Sequence, residues 1–272
     1  MPQRKQSMES GGALQRFDEE RRAGRMGRKW LLYVILVLCL ALPATAVLGA
    51  ERFTLQAGTR WETEGCIADS GKPGPTALIL GGVHGNEPAG ALAAAQICTF
   101  QPVAGKIVVV PRVNAPGLAA NLRYVPDGGG DMNRAYPPQD GATPAERMGK
   151  DIIALMEKHQ ISFLADLHEA RTFHKLDRTS LGQTLLFADN SPSTILAMDA
   201  VDVINRGITD DVKKFSLVGH PIRLSAAWYA GKYLGIAAFT VETSSQQPLT
   251  ERVEQQLAVV RTLLAAGGWL GR

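Results

Sequence analysis

From residue 51 onward, short apolar runs alternate with stretches of helical periodicity. Residues 76–82 (TALILGG) are apolar and closed by glycine, which predicts a buried strand. Pro88 then opens AGALAAAQI, an Ala-rich stretch that predicts a helix with Pro at its first position. Residues 106–113 (KIVVVPRV), 161–167 (ISFLADL), 184–188 (TLLFA) and 236–241 (IAAFTV) predict further strands. Thr143, Pro144, Ala145 and Glu146 have the spacing of a capping box and start a helix to about His159, which is expected to cap its end. Another helix is predicted from Ser191 to about Gly207. A last one is capped by Thr250, carries Val253, Leu257, Val260 and Leu264 on one stripe, and stops at Gly267 and Gly268. Residues 114–142, with Gly128, Gly129, Gly130, Pro137 and Pro138, are predicted as one long loop, and loops of that length in compact domains are usually functional. Strands alternating with helices give an α/β class: a single domain with a mostly parallel or mixed central sheet flanked by helices.

Composition changes this picture mainly at the N-terminus. The 272 residues are 45% hydrophobic and 20% charged, a globular balance. Three cysteines are too few for a disulfide scaffold, and 6% aromatics argue against a Tyr- and Trp-rich β-sandwich. The net charge of +3 is unevenly spread. Residues 1–29 hold eight basic and four acidic residues, leaving 21 of the 29 basic and 22 of the 26 acidic residues to the rest. The body is therefore near neutral, and no nucleic-acid partner is expected.

Residues 30–50 (WLLYVILVLCLALPATAVLGA) carry no charge and follow Arg28 and Lys29. A basic flank, an apolar core and the small residues Ala44, Thr45 and Ala46 make a secretory signal, with cleavage expected after Ala46. Met26 is an alternative start, and an uncleaved N-terminal membrane anchor is the rival reading. Either way the basic tail stays inside and residues 51–272 are exported, to the periplasm or held at the inner membrane by residues 30–50. Outside that segment Cys66 and Cys98 are the remaining thiols. In an oxidising compartment they can pair, and two separately buried thiols fit the sequence as well.

Several catalytic signatures are absent: G-x-S-x-G, the P-loop pattern, G-x-G-x-x-G, H-E-x-x-H and C-x-x-C. What remains is His84-Gly85-Asn86-Glu87, between a strand and a helix, and Asp166-Leu167-His168 at another strand end. Open α/β sheets bind ligands at the carboxyl ends of their strands. Two imidazoles and a carboxylate with one position left open are the ligand set of a catalytic zinc. Taken alone, H-x-x-E fits a hydrogen-bonded structural histidine at least as well.

The wider pattern resembles a known family. GGVHGNEPAG (81–90), PRVNAPG (111–117), LRY (122–124), DMNRAYP (131–137), DLHEA (166–170) and FTVETS (239–244) resemble, in order, the motifs of the succinylglutamate desuccinylase/aspartoacylase branch of the zinc carboxypeptidase superfamily. The resemblance implies a zinc carboxypeptidase-like fold and one Zn2+ per chain held by His84, Glu87 and His168. It implies Glu242 as the catalytic carboxylate and Arg123 as the group that polarises the scissile carbonyl. It places Asn133 and Arg134 on a substrate carboxylate and Asp131 behind a ligand histidine, with Asp166 expected in similar work. Tyr229 is a candidate phenol over the site, or with Trp228 a packing residue. Glu169 and His174 are expected on a solvated loop.

Two departures stand out. The PDGGG stretch lengthens the chain between Arg123 and Asn133, and 30 residues of the 272 follow Glu242, an ending closer to single-domain carboxypeptidases. The expected activity is hydrolysis of an amide near a carboxylate, by carboxypeptidase or deacylase action on a peptide or small molecule, with cell-wall peptides as a natural exported substrate. The rivals are a small-molecule N-acyl-amino-acid deacylase and a non-catalytic metal- or peptide-binding module.

Overall fold

The computed structural model describes residues 50–271. The basic tail and all but the last residue of the apolar segment lie outside the described residues. Eight strands form one sheet: β1 (Glu51–Leu55), β2 (Thr63–Asp69), β3 (Thr76–Gly81), β4 (Lys106–Val110), β5 (Ile161–Ala170), β6 (Thr184–Phe187), β7 (Ser216–Gly219) and β8 (Ala237–Ser244). Their order is β1-β2-β4-β3-β5-β8-β6-β7. Strands β4, β3, β5 and β8 run parallel in the centre. The β1–β2, β2–β4 and β6–β8 pairs are antiparallel. The sheet is thus mixed, within the expectation.

Among the described residues six α-helices flank it: α1 (Pro88–Ile97), α2 (Ala115–Ala120), α3 (Pro144–Lys158), α4 (Ser191–Arg206), α5 (Ala226–Tyr233) and α6 (Leu249–Ala266). The side-chain alternation of each strand sorts the core into two layers. Ala77, Ile79, Phe163, Ala165 and Leu167 face α1, α4 and α6. Leu78, Leu80, Leu164 and Ala238 face α3 and α5. Among the described residues no helix is long and apolar enough to cross a membrane.

The capping box at Thr143 and Glu146 forms as its sequence predicts, and His159 is the C-cap of α3. Four expectations change. The long loop 114–142 contains α2 and a 3-10 turn at Met132–Arg134. β5 runs on to Ala170, past the predicted end at 167. α6 is entered from Pro248 without any side-chain cap, so Thr250 falls inside the first turn. Of the α6 stripe, Val253, Val260 and Leu264 are buried as expected, but Leu257 is only half-buried, and Gln256, Val259 and Leu263 take the buried face instead.

Two features fix the start of α1. A Cβ on Gly81 would lie 2.4 Å from the Gly90 carbonyl oxygen, and one on Gly90 would lie 2.4 Å from that of Leu167. Only glycine lets the helix settle this close to β3 and β5. At the other end Cys98, the C-cap of α1, forms a disulfide with Cys66 on β2, closing the question the sequence left open.

Candidate active site

The carboxyl ends of β3, β5 and β8 meet at one edge, where open α/β sheets bind ligands. His84 and Glu87 come from the turn between β3 and α1, and His168 from β5. His168 and Glu242 are register partners in parallel strands, so both project from the face that carries Leu164 and Ala238. His84, Glu87, His168 and Glu242 are all buried.

His84 Nδ1 lies 2.9 Å from Glu87 Oε1. His168 Nδ1 lies 2.9 Å from Glu87 Oε2 and 3.1 Å from His84 Nδ1. This is the one group of three or more ligand-capable side chains among the described residues. The far nitrogens face carboxylates: His84 Nε2 is 3.4 Å from Asp131 Oδ1, and His168 Nε2 is 3.2 Å from Asp166 Oδ2. A carboxylate behind each ring faces its Nε2 and turns both Nδ1 atoms on Glu87. Protons bridge them to the carboxylate in the cation's absence, and with those protons displaced both Nδ1 atoms and Glu87 become acceptors. Such a buried cluster of acceptors suits a cation. Ligand atoms around one tetrahedral zinc at about 2.0–2.1 Å sit about 3.3 Å apart, close to the spacing here.

The electrostatics agree with that geometry. Burial works to raise the Glu87 pKa, but hydrogen bonds with His168 and His84 outweigh it and hold the carboxyl at about 2. Asp131 is likewise held low: burial opposes this, and His84 and the Asn133 amide outweigh it. His168 is raised; burial opposes, and Asp166 and Glu87 prevail. Glu242 goes the other way. Burial pushes it up to about 8, with Glu87 and Asp166 adding to the rise and His168 and Arg123 resisting. Its Oε2 is buried without a hydrogen-bond partner.

Arg123 reaches the site despite the PDGGG stretch. The extra residues close on themselves through a bridge between Val125 and Gly130, with Asp127, Gly128 and Gly130 at positive φ. The Arg123 carbonyl accepts a hydrogen bond from the Gly85 amide at 3.3 Å, and Arg123 Nη1 lies 2.6 Å from Glu87 Oε1. Asp131 caps the 3-10 turn, accepting from the Asn133 amide at 2.8 Å. Asn133 is buried with its Oδ1 unpartnered, and the exposed Arg134 donates to the Asn133 carbonyl at 2.7 Å.

Two placements correct the sequence reading. Tyr229 packs on α5 against Tyr233, ring centroids 5.2 Å apart, and feels the charge of Glu157. Glu157 precedes the start of β5, whereas His168 is near its end, so Tyr229 belongs to the opposite edge of the sheet. Glu169 is no solvated loop residue: it is buried on β5, accepting from the Ala89 amide at 2.6 Å and paired with Arg252. His174 is half-buried and bonds the Ser180 carbonyl at 2.8 Å, outside the His84, Glu87 and His168 group. Sequence reasoning missed Arg252 and Gln256. The signal was there: Arg252, Gln256, Val259 and Leu263 lie on one side of α6 at helical spacing.

The comparisons with known proteins bear on the family and the fold. The sequence profile of the succinylglutamate desuccinylase/aspartoacylase catalytic domain matches residues 73–266. The N-alpha-acetyl-L-2,4-diaminobutyric acid deacetylase of Halomonas elongata is 35% identical over 78 residues, 28% of this chain and 23% of that protein. The tripeptide-bound cell shape determinant Csd4 of Helicobacter pylori superposes with a TM-score of 0.68 at 20% identity, over 82% of this chain and 56% of that one. An aspartoacylase family protein of Mesorhizobium loti gives 0.58 at 20% identity, over 82% and 68%. The chain thus spans about a quarter of the curated relative and about half of Csd4. By the extent of the profile match, the chain belongs to the succinylglutamate desuccinylase/aspartoacylase family of hydrolases.

Proposed function

We propose that the chain is an exported, zinc-dependent amidohydrolase that cleaves an amide near a carboxylate, acting on peptides of the cell-wall type. The observation that carries it is the convergence of His84 Nδ1, His168 Nδ1 and the Glu87 carboxylate beside a buried, unpartnered Glu242. When bound, zinc supplies Lewis acidity for a carbonyl and for the attacking water. Glu242 takes a proton from that water as its oxygen bonds to the carbonyl carbon, then gives the proton to the nitrogen as the C–N bond breaks. Arg123 donates to the oxygen that gains charge. Asn133 and Arg134 hold the substrate carboxylate, for which a guanidinium is suited by its planar fork.

Two observations favour a peptide over a small closed ligand. Beside Arg123 lies an open cavity of about 540 Å³ lined by residues 122–128 and Asp131. Leu122 and Tyr124 on its wall are 49% and 53% exposed. The tripeptide-bound and mDAP-bound structures of Csd4, a D,L-carboxypeptidase of Helicobacter pylori, add support by analogy of fold. The Cys66–Cys98 disulfide and the apolar segment 30–50 support export, since such bonds persist in oxidising compartments. A second reading, N-acyl-amino-acid deacylation, is favoured by the local identity to the Halomonas deacetylase.

Mass spectrometry of products decides between them, after incubating the zinc-loaded chain with cell-wall peptides and N-acyl amino acids. Loss of a terminal residue from a peptide is the expected result. Release of an acyl acid alone establishes the second reading. No product from either pool, with zinc bound, overturns both.

A further inference from the structure

The sheet edge that carries the candidate metal ligands is gripped from behind by charged and polar groups that the proposed chemistry does not use. Glu169 follows His168 on β5, so its side chain leaves from the opposite face, toward α1 and α6. There it meets two elements. Oε1 accepts from the Ala89 amide at 2.6 Å, in the first turn of α1, and Oε2 pairs with Arg252 Nη1 on α6. The Glu169 backbone amide donates to Glu87 Oε2 at 3.0 Å. One residue thus holds the Glu87 carboxylate by its main chain and the helix just after Glu87 by its side chain. One turn along α6, Gln256 Nε2 donates to the His168 carbonyl at 2.8 Å and lies 3.0 Å from Thr243 Oγ1. Arg252 and Gln256 therefore tie α6 to the strand that supplies one ligand, and through Glu169 to the turn that supplies the other two.

We infer that the Glu169–Arg252 pair is a positioning device: it sets the orientation of Glu87 relative to His168 and so the affinity of the site for its cation. Stability alone is a weak reason for this pair. A buried ion pair replaced by apolar residues of similar volume is often neutral or stabilising. The carboxylate also suits the positive end of α1, but that end needs no partner on α6. The Arg252 pair holds one Glu169 oxygen while the other accepts from the Ala89 amide. Groups behind metal ligands typically change metal affinity by about 10–100-fold when removed.

The inference rests on the reading of His84, Glu87 and His168 as zinc ligands, and the test separates the two. Zinc affinity of the full chain is measured by competition with a chromophoric chelator, alongside the thermal midpoint. Zinc binding by the unaltered chain at one per chain tests the ligand reading. Its absence overturns both. Given that binding, the double variant Glu169→Met/Arg252→Met, which leaves no lone buried charge, should bind zinc about 10–100-fold more weakly. If the double variant fails to fold, Glu169→Gln, which keeps an oxygen for Ala89 and removes the ionic half, should show a smaller loss in the same direction. Ile204→Ala, in the same core layer but remote from the edge, should lower the thermal midpoint and leave zinc affinity unchanged. Wild-type zinc affinity in the folded double variant, or in Glu169→Gln where only that variant folds, overturns the inference.

Discussion

The two faces of the same strand ends are built on different principles. On the α3/α5 side, Asp166, His168, Thr240 and Glu242 are all buried, yet Asp166 Oδ1, Thr240 Oγ1 and Glu242 Oε2 lack hydrogen-bond partners, and Asp166 Oδ2 faces His168 Nε2 at 3.2 Å. On the α1/α6 side, Arg252 Nε and Gln256 Oε1 are likewise unpartnered, but Glu169, Thr243, Arg252 and Gln256 are each joined by another atom to a different element. Buried polar groups are normally satisfied, and each exception calls for an explanation. The difference teaches that the front holds polar groups ready for a ligand, while the back holds polar groups that make the strand ends rigid. The front should therefore fail in chemistry and the back in placement or stability.

The strongest way to break that division is at the front. His168→Ala should lose zinc and activity together, because the residue is read as a ligand. Glu242→Gln should keep zinc near one per chain and lower kcat by about 10²–10⁴-fold, the usual contribution of a positioned general base. Zinc content by elemental analysis with single-turnover rates reads both. A Glu242→Gln protein without zinc makes Glu242 a ligand, and one with full activity ends its catalytic role.

The next effect belongs to the back. Replacing both Cys66 and Cys98 by alanine opens a link between residues 32 apart in sequence. Chain entropy alone assigns such a crosslink about 3–4 kcal/mol. Urea unfolding should show a loss of that order, with zinc content and turnover at 25 °C unchanged. A folded double variant that loses turnover would show that the α1 anchor reaches the chemistry, and the separation of faces would fall.

This division explains what was legible in the sequence. The parallel core was readable because β3, β4, β5 and β8 are near-continuous apolar runs, and α3 because Thr143 and Glu146 cap it reciprocally. The front site was readable because its chemistry demands particular residues at strand ends: His84, Glu87, His168 and Glu242 come together as their motifs implied. β1, four-residue β7 and eight-residue α5 went unread because their patterns are short and half-exposed, and β2, though mostly buried, because Glu64, Gly65 and Asp69 break up its apolar run. Tyr229 stood open between the site and packing because a lone phenol carries no sign of which end of α5 it lies toward. The back network was only half legible: helical spacing puts Arg252 and Gln256 on one face of α6, but nothing in the sequence joins that face to Glu169, 83 residues earlier.

The smallest expected effect sharpens the comparison from the side of protonation. Burial, with Glu87 and Asp166 nearby, raises Glu242 from an ordinary 4.5 to about 8. An acid with a raised folded pKa favours folding fully below 4.5, and that contribution is lost as pH rises through about 8. Glu242→Gln carries no such titration. In chelator-treated protein, the variant should therefore gain stability relative to wild type between pH 5 and about 8, and the gap should level off above that. Urea midpoints at about pH 5, 6.5 and 8.5 in the presence of chelator measure it. The back-face cysteine variant should show no comparable widening, since neither Cys66 nor Cys98 titrates when paired and neither touches Glu242. Parallel curves for wild type and Glu242→Gln would mean that the Glu242 carboxylate is satisfied in the folded state, and the front would lose its clearest unpartnered charge.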